Sequence, residues 1–219
     1  MKESTTKEKV LKKIRDALVN PMSAPFEKVD MEHPVFMASR EIFREEQFAE
    51  AFTGAGGQFI FCPDVDEFAA DLQALITQKG ISSLFCGEEF ITGLLKELKI
   101  PYENDPVKMI DCQATITGCE ALVASHGSVV FSSRQGGGRK SFACPPLQIV
   151  VATNRQLVAD LSSAFRFLNA KYNKILPSQI TFATGPSRTA DIEKTLVHGA
   201  HGPKELYLLM LDIGREQAD

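Results

Sequence analysis

The sequence predicts an α/β fold with a mainly parallel sheet, a β-hairpin and an N-terminal helical arm. Between residues 58 and 98, short apolar runs alternate with helical patterns, as in the βαβ units that build parallel sheets. Further along, two β-branched runs flank a His-Gly turn at 126–127, which is typical of a hairpin. With 219 residues, the chain is long enough to bury one large α/β core.

The N-terminal arm is predicted from a helical pattern over residues 4–20, which is followed by a proline-rich stretch at 20–34. Prolines at this density interrupt regular structure. We therefore expect an arm and loop at 1–38 and a main α/β domain at 39–219, with the arm helix able to pack on a second copy of the chain.

The main domain begins with alternating helices and strands. Asp64 followed by Glu67 resembles a capping box, which marks the start of a helix. The predicted elements are a helix at 39–52, a strand at 58–62, a helix at 64–79, a strand at 82–87 and a helix at 88–98.

The second half of the domain contains the hairpin, which pairs residues 121–125 with 128–132. A Gly-rich basic loop, a strand at 147–153 and a helix at 155–172 follow. The last segment predicts a strand at 180–182, a short helix capped by Ser187 or Thr189, and a strand from Leu206.

Charge and composition exclude several function classes. The chain has 24 basic and 28 acidic residues, a net charge of −4, which gives no electrostatic attraction to nucleic acid or anionic lipid. Residues 1–15 lack the apolar core of a signal peptide, and no apolar run reaches the length of a membrane span. We expect a cytoplasmic protein without nucleic-acid or membrane partners.

The five cysteines are scattered singly, without a Cys-x-x-Cys pair, so neither a disulfide framework nor a structural zinc or Fe–S site is expected. Cys62 and Cys86 each end an apolar run and are interpreted as buried hydrophobes. Because the chain also lacks a GxGxxG fingerprint after its first strand, we expect no flavin, nicotinamide or other cofactor of its own.

Two segments are candidates for binding a small anion. The first is the predicted helix start, whose N–H groups and partial positive charge suit a carboxylate or phosphate; helix capping by Ser187 and Thr189, with Arg188 paired to a local carboxylate, is the alternative. The residues assigned to this segment are Gly185, Pro186, Ser187, Arg188, Thr189 and Asp191.

The second segment is the glycine loop Gly136, Gly137 and Gly138 with Arg134, Arg139 and Lys140, where mobile backbone donors stand beside three cations. A solvated surface loop is the alternative.

The hairpin supplies the remaining candidates. Gly127 and Ser128 are assigned to the same anion site, and Glu120 and His126 are the candidate acid–base groups. For His126, simple turn chemistry is an equal alternative. His198 and His201 are interpreted as turn residues rather than metal ligands, because Gly199 interrupts the spacing that would align them.

Three stretches carry a family resemblance: GCEALVASHGSVVFSS at 118–133, GGGRKSFACPPLQIVV at 136–151 and TGPSRTADIEKTLVHGAHGPKELYLLML at 184–211. They resemble the LUD (lactate-utilisation) domain family, in particular its short YkgG/LutC-type members. The resemblance implies a three-layer α/β/α fold related to the NagB/RpiA/CoA-transferase group. Where relatives commonly have an acidic residue and a threonine before the hairpin glycine, this chain has Ser125 and His126.

The resemblance also implies a function. LutC-type members act with an Fe–S subunit and a cysteine-rich subunit in oxidising L-lactate to pyruvate, which predicts an accessory subunit that binds a small anionic ligand, such partner proteins, or both. Two alternatives stay open. One is a stand-alone enzyme of the CoA-transferase/sugar-phosphate-isomerase group that uses Glu120 or His126 near a bound phosphate or carboxylate. The other is a structural partner that oligomerises through its N-terminal helix.

Overall fold

A computed structural model describes residues 6–19, 43–192, 195–199 and 201–214, without the side chains of residues 17 and 189–198. The chain divides into two units, residues 1–37 and 38–219. In the first unit, helix α1 (Thr6–Val19) matches the helical pattern of the arm. None of the described helices is both long and apolar enough to cross a membrane.

The second unit contains the remaining elements. Its described helices are α2 (Arg44–Gly54), α3 (Val65–Gln78), α4 (Glu89–Glu97) and α5 (Leu161–Lys171). Its described strands are β1 (Gln58–Cys62), β2 (Leu84–Phe85), β3 (Ala114–Thr117), β4 (Ala121–Val123), β5 (Ser128–Ser132), β6 (Leu147–Thr153), β7 (Leu157–Val158), β8 (Ile180–Ala183), β9 (Arg188–Ile192), β10 (Thr195–His198) and β11 (Glu205–Leu211).

The main sheet has five strands in the order β1-β11-β6-β3-β2. Every neighbouring pair in it is parallel, which confirms the predicted α/β class with a mainly parallel sheet. The side chain of Asp64 accepts a hydrogen bond from the Glu67 N–H at 2.8 Å and caps α3 as its sequence pattern indicates.

The predicted hairpin is present and belongs to a second sheet of order β7-β4-β5-β8. Strands β4 and β5 pair antiparallel, as do β5 and β8. The turn between β4 and β5 places Gly127 at φ +60°, a conformation that glycine adopts at little cost.

Side chains from the two faces of the second sheet join different parts of the core. Leu122, Val129 and Phe131 pack with α2 and the main sheet, whereas Val123 and Val130 pack with α5. The second sheet therefore lies between the main sheet and α5, and α3 and α4 cover the other face of the main sheet.

Two helix predictions need correction. The helix predicted at 155–172 begins only at Leu161, because a 3₁₀ turn at Asn154–Gln156 and strand β7 precede it. The short helix predicted after Ser187 is wrong, since β9 and β10 form an antiparallel ribbon there. The β-branched residues Ile192, Thr195 and Val197 explain the difference, because branching at Cβ favours strands over helices.

Candidate functional site

The structure divides the predicted anion site between the two ends of β5. At the first end, the Ser128 and Thr184 hydroxyls lie 2.7 Å apart, beside the segment that begins at Gly185. At the other end, Ser132 donates to Glu120. Four residue steps of about 3.3 Å each separate these ends by roughly 13 Å, so one small ligand does not contact both.

The first end of β5 is a packing contact with the end of α2. Arg188 Nη2 donates a 2.8 Å hydrogen bond to the Ala55 carbonyl, next to the negative pole of that helix. Gly185 has φ +80°, and a Cβ there would lie 2.3 Å from the same carbonyl oxygen. Because residues 188–192 form strand β9, no helix starts after Gly185 to supply N–H groups to the predicted anion site.

Other residues assigned to the anion site also lie in tightly packed or hydrogen-bonded positions. A Cβ on Gly127 would lie 2.2 Å from the backbone nitrogen of Phe52. The Ser187 N–H donates to the Pro203 carbonyl at 2.9 Å, and Pro186 Cδ lies 3.6 Å from the Cβ position of Gly56. The side chains of Thr189 and Asp191 fall outside the described part of the structure.

His126 is exposed at the hairpin turn, where its Nδ1 lies 2.6 Å from Ser125 Oγ. Glu120 precedes β4, at the far end of the same hairpin. The structure does not bring these two acid–base candidates together.

Glu120 is the centre of the strongest polar arrangement in the described residues, which we call the Glu120 cluster: Glu120, Ser132, Lys171 and Tyr172. One carboxylate oxygen accepts hydrogen bonds from the Ser132 and Tyr172 hydroxyls, both at 2.6 Å. The other accepts from Lys171 Nζ at 2.7 Å. The Glu120 side chain is 2% exposed and that of Lys171 46% exposed, so a buried charge is joined to a cation that reaches solvent.

These contacts keep Glu120 ionised. Burial alone would raise its pKa, but the hydrogen bonds from Lys171, Ser132 and Tyr172 outweigh burial and hold the pKa below its ordinary value. Burial acts on the pKa of Lys171 in the opposite sense, and its bond to Glu120 leaves that pKa raised. At neutral pH the cluster therefore contains an ionised carboxylate paired with a charged ammonium group.

A second carboxyl group, that of Glu88, follows β2 at the carboxyl edge of the main sheet. Its Oε1 accepts a 2.9 Å hydrogen bond from the Gly118 N–H, just after β3. Burial and the nearby Glu120 charge raise the pKa of Glu88, whereas the Gly118 hydrogen bond and the Lys171 charge lower it. Burial is the largest of these effects, and the pKa of Glu88 is raised overall. Two carboxyl groups in one region thus have their pKa values shifted in opposite directions, a pattern found at acid–base sites.

The glycine loop is packed against Gly87 and Glu88 rather than freely solvated. A Cβ on Gly136 would lie 2.1 Å from the Gly87 carbonyl oxygen and 2.7 Å from Glu88 Cγ. Gly137 has φ +84°, with no room for a side chain beside the Phe85 ring. Gly138 also has a positive φ, +64°, with nothing near its Cβ position.

The cations of the loop reach the same region. Arg139 Nη2 donates to Ser178 Oγ at 2.7 Å, and the Arg134 guanidinium carbon lies 6.0 Å from the centre of the Tyr172 ring. With Lys171, these are three cations in a region that contains two carboxyl groups, those of Glu120 and Glu88. Because the arrangement has an excess of positive charge, it suits a small anion.

A cavity of about 520 Å³ lies elsewhere, between α2 and β1. Three of its lining residues carry carboxylates and none is a lysine or arginine, so it repels anions. Its lining residues are Phe43, Glu45, Glu46, Ala49, Phe59, Phe61, Asn154 and Asp212.

The cysteines give no sign of a reactive thiol near the cluster. Burial raises the pKa of Cys62 to about 12 and that of Cys86 to about 11, as expected of buried hydrophobes. Burial also raises the pKa of Cys119, which neighbours Glu120. Cys144 alone among the five is exposed.

Comparison with known proteins decides the family, because the LUD domain profile matches residues 45–211. The chain belongs to the LUD domain family. Its LUD domain resembles the crystal structure of a DUF162 family protein from Deinococcus radiodurans, with a TM-score of 0.58 and 15% identity over 78% of this chain and 99% of that one. That likeness supports the fold.

Curated relatives of this LUD domain are named lactate utilization protein C. The protein from Geobacillus sp. (strain WCH70) is 36% identical over 100 residues, which cover 44% of this chain and 42% of the relative. The protein from Bacillus subtilis (strain 168) is 36% identical over 113 residues, 50% of this chain and 47% of the relative. In both cases the match spans less than half the length of the relative.

Of the Glu120 cluster, the sequence points only to Glu120, and it points separately to the glycine loop. Glu88, at a predicted helix start, and Lys171, near a predicted helix end, show no local sign of a site. Lys171 and Glu120 are 51 positions apart, and no local spacing links them. Helix α5 ends with Lys171 followed by Tyr172, but no sequence pattern indicates that these two residues contact a carboxylate.

Proposed function

We propose that this LUD domain protein takes part in lactate utilization as an accessory subunit of an L-lactate oxidation system, where it binds a small anionic ligand and Fe–S and cysteine-rich partner proteins. The relatives named lactate utilization protein C support the pathway. The Glu120 cluster with its surrounding cations is the observation that carries the ligand assignment.

The ligand site that we propose lies over the Glu120 cluster. Arg134 and Arg139 are exposed residues, and guanidinium groups bind a carboxylate through paired N–H donors. The Tyr172 hydroxyl and Lys171 ammonium are fixed by Glu120, so binding need not order them first. Lactate and pyruvate have the carboxylate that such a site accepts.

Calorimetric titration with L-lactate, pyruvate and phosphate tests the ligand site. A charge-assisted hydrogen bond contributes about 1.5–3 kcal/mol, so Arg134→Ala and Arg139→Ala should each weaken binding roughly tenfold to 100-fold. Arg166→Ala is the matched control, because within the described residues that guanidinium hydrogen-bonds to Ser162 and Ser163 of its own helix. Equal affinities in all four proteins, or no binding of any anion to the wild type, contradict the site.

Affinity isolation from native cells tests the partner assignment. Reproducible recovery of cysteine-rich Fe–S proteins in stoichiometric amounts is expected of a subunit. Their repeated absence, with the tagged protein intact and expressed at its natural level, contradicts the assignment.

A stand-alone enzyme is the second candidate function, and the two oppositely shifted carboxyl groups favour it. In that case Glu88, with its raised pKa, is the proton donor or acceptor, and Glu120 stays ionised as a positioning group. The test is mass-spectrometric detection of products after incubation with CoA thioesters or sugar phosphates. Turnover that Glu88→Gln abolishes supports the enzyme, and no turnover of any substrate contradicts it.

A further inference from the structure

Strand β8 forms an open edge of the second sheet. In that sheet it neighbours only β5, and no other described strand pairs with its outer side. The edge has neither a charged side chain nor a proline, the devices that commonly protect such edges. All four of its residues are half-buried.

The pairing pattern with β5 shows which backbone groups face outward. The Ser133 N–H donates to the Gln179 carbonyl, and the register pairs Phe131 with Thr181 and Val130 with Phe182. In antiparallel strands, hydrogen-bonded and non-bonded pairs alternate. Gln179, Thr181 and Ala183 therefore bond to β5, and the N–H and C=O groups of Ile180 and Phe182 point away from the sheet.

Exposed apolar side chains lie beside this edge. Phe165 of α5 is 43% exposed, and its ring centre is 5.5 Å from that of Phe182. Ile180 lies on the same face of β8, against the core cluster of α5. A strand added beside β8 would cover these side chains while it paired with the outward backbone groups.

Cations lie around the start of this edge. Arg139 Nη2 donates to Ser178 Oγ, two residues before β8, and Arg166 and Lys174 are exposed on and after α5. A second copy of the chain, pairing through the same edge, would bring like charges together, which disfavours it. Acidic side chains on an added strand would complement this surface.

We propose that β8 binds an extended acidic segment of a partner protein, with apolar side chains on alternate residues, which adds to the second sheet as an antiparallel strand beside β8. This mode of recognition takes affinity from main-chain hydrogen bonds and specificity from side-chain contacts. The inference depends on the edge alone and holds whether or not the ligand site at the Glu120 cluster is correct.

Fluorescence anisotropy with a labelled peptide of alternating valine and glutamate tests the proposal. The peptide should bind the wild-type chain, and its valine–lysine counterpart should bind roughly tenfold more weakly or not at all. Rising salt should weaken the binding. Failure of the acidic peptide to bind, or equal binding of both peptides, overturns the proposal.

Two variants separate the backbone contact from the side chain. Ile180→Pro removes an outward N–H without removing a bond to β5, and should weaken binding of the acidic peptide at least tenfold. Ile180→Ala removes the same side chain but keeps the N–H, and should bind more tightly than the proline variant. Equal binding by the two variants contradicts strand addition.

Amide hydrogen exchange on the wild-type chain gives a readout that needs no variant. The Ile180 and Phe182 amides should exchange more slowly when the acidic peptide is bound, whereas Thr181, already bonded to β5, should change little. Unchanged exchange at Ile180 and Phe182 excludes pairing at this edge. A wild-type dimer in sedimentation that Ile180→Pro dissolves would assign the edge to a second copy and contradict an acidic partner.

Discussion

Removal of the Lys171 ammonium by Lys171→Met is the sharpest perturbation of the Glu120 cluster. Truncating one partner of a fully buried ion pair costs about 3–5 kcal/mol, and exposed pairs contribute about 0–1 kcal/mol. Because Glu120 is 2% exposed and Lys171 46% exposed, we expect an intermediate loss of about 2 kcal/mol in the free energy of unfolding. For a chain of this size the melting temperature should fall by about 4–8 °C.

The loss should depend on pH with a definite sign. The folded-state pKa of Glu120 is lowered, so its stabilising contribution is present above the unfolded pKa, about 4.3, and is lost as the pH falls through the folded pKa. The difference between wild type and Lys171→Met should therefore be full at neutral pH and narrow below about pH 4.

Denaturant unfolding at several pH values, with two matched variants, makes this test specific. Lys79→Met removes the same ammonium from the more exposed pair with Glu205, and should cost at most about 1 kcal/mol. In a Glu120→Gln background, Lys171→Met should cost much less than it does alone. A cost that is the same in both backgrounds, or constant from acid to neutral pH, would refute the assignment of an ion pair to this cluster.

Three further predictions concern packing and organisation. Gly136→Ala should lower the free energy of unfolding by about 1–3 kcal/mol in chemical unfolding, because its Cβ would collide with the Gly87 carbonyl. Gly93→Ala is the control: it lies inside α4 with no atom near its Cβ position and should raise the free energy of unfolding by about 0.5–1 kcal/mol. A loss of equal size at both sites would count against the tight loop contact. Arg188→Ala should lower the free energy of unfolding by about 1 kcal/mol through its lost bond to Ala55 and leave lactate, pyruvate and phosphate affinity unchanged, so weakened anion binding would restore the site predicted from sequence. Deletion of residues 1–20 should leave one cooperative calorimetric transition, and loss of cooperativity would contradict the boundary between an arm at 1–38 and a domain at 39–219.

The parts of the fold that sequence could predict are those with a local cause. The strand QFIFC at 58–62 and its following helix have a capping residue, Asp64, and clear changes of periodicity. The hairpin has a Gly127 turn between two β-branched runs. Each of these signals lies within a few residues of the structure it specifies.

The parts that sequence could not predict depend on long-range contacts. Pairing of β8 with β5, and of β7 with β4, makes a second sheet from strands that are too short to be distinctive alone. The segment after Gly185 contains turn residues compatible with a helix start, but its hydrogen bonds go to Pro203 and Ala55. Tertiary contacts of this kind leave no short-range pattern in the sequence, and here they act together with the preference of β-branched residues for strands.

The candidate site also combines residues with a local sequence signal and residues that only the fold brings together. Glu120 and Gly136–138 are conspicuous in sequence, because a carboxylate between apolar residues and a triple glycine are both unusual. Lys171 and Glu88 become functional candidates only when folding brings them to Glu120 and Gly118.

Growth of the source organism on L-lactate as sole carbon source tests the central claim, a role in lactate utilization, most directly. A strain that lacks the gene should fail to grow on L-lactate and grow normally on pyruvate, since only the oxidation step is lost. Re-expression of the wild-type chain should restore growth, and re-expression of a folded Arg134→Ala, Arg139→Ala double variant should not. Undiminished growth of the deletion strain on L-lactate, with no second copy of the gene present, would contradict the account.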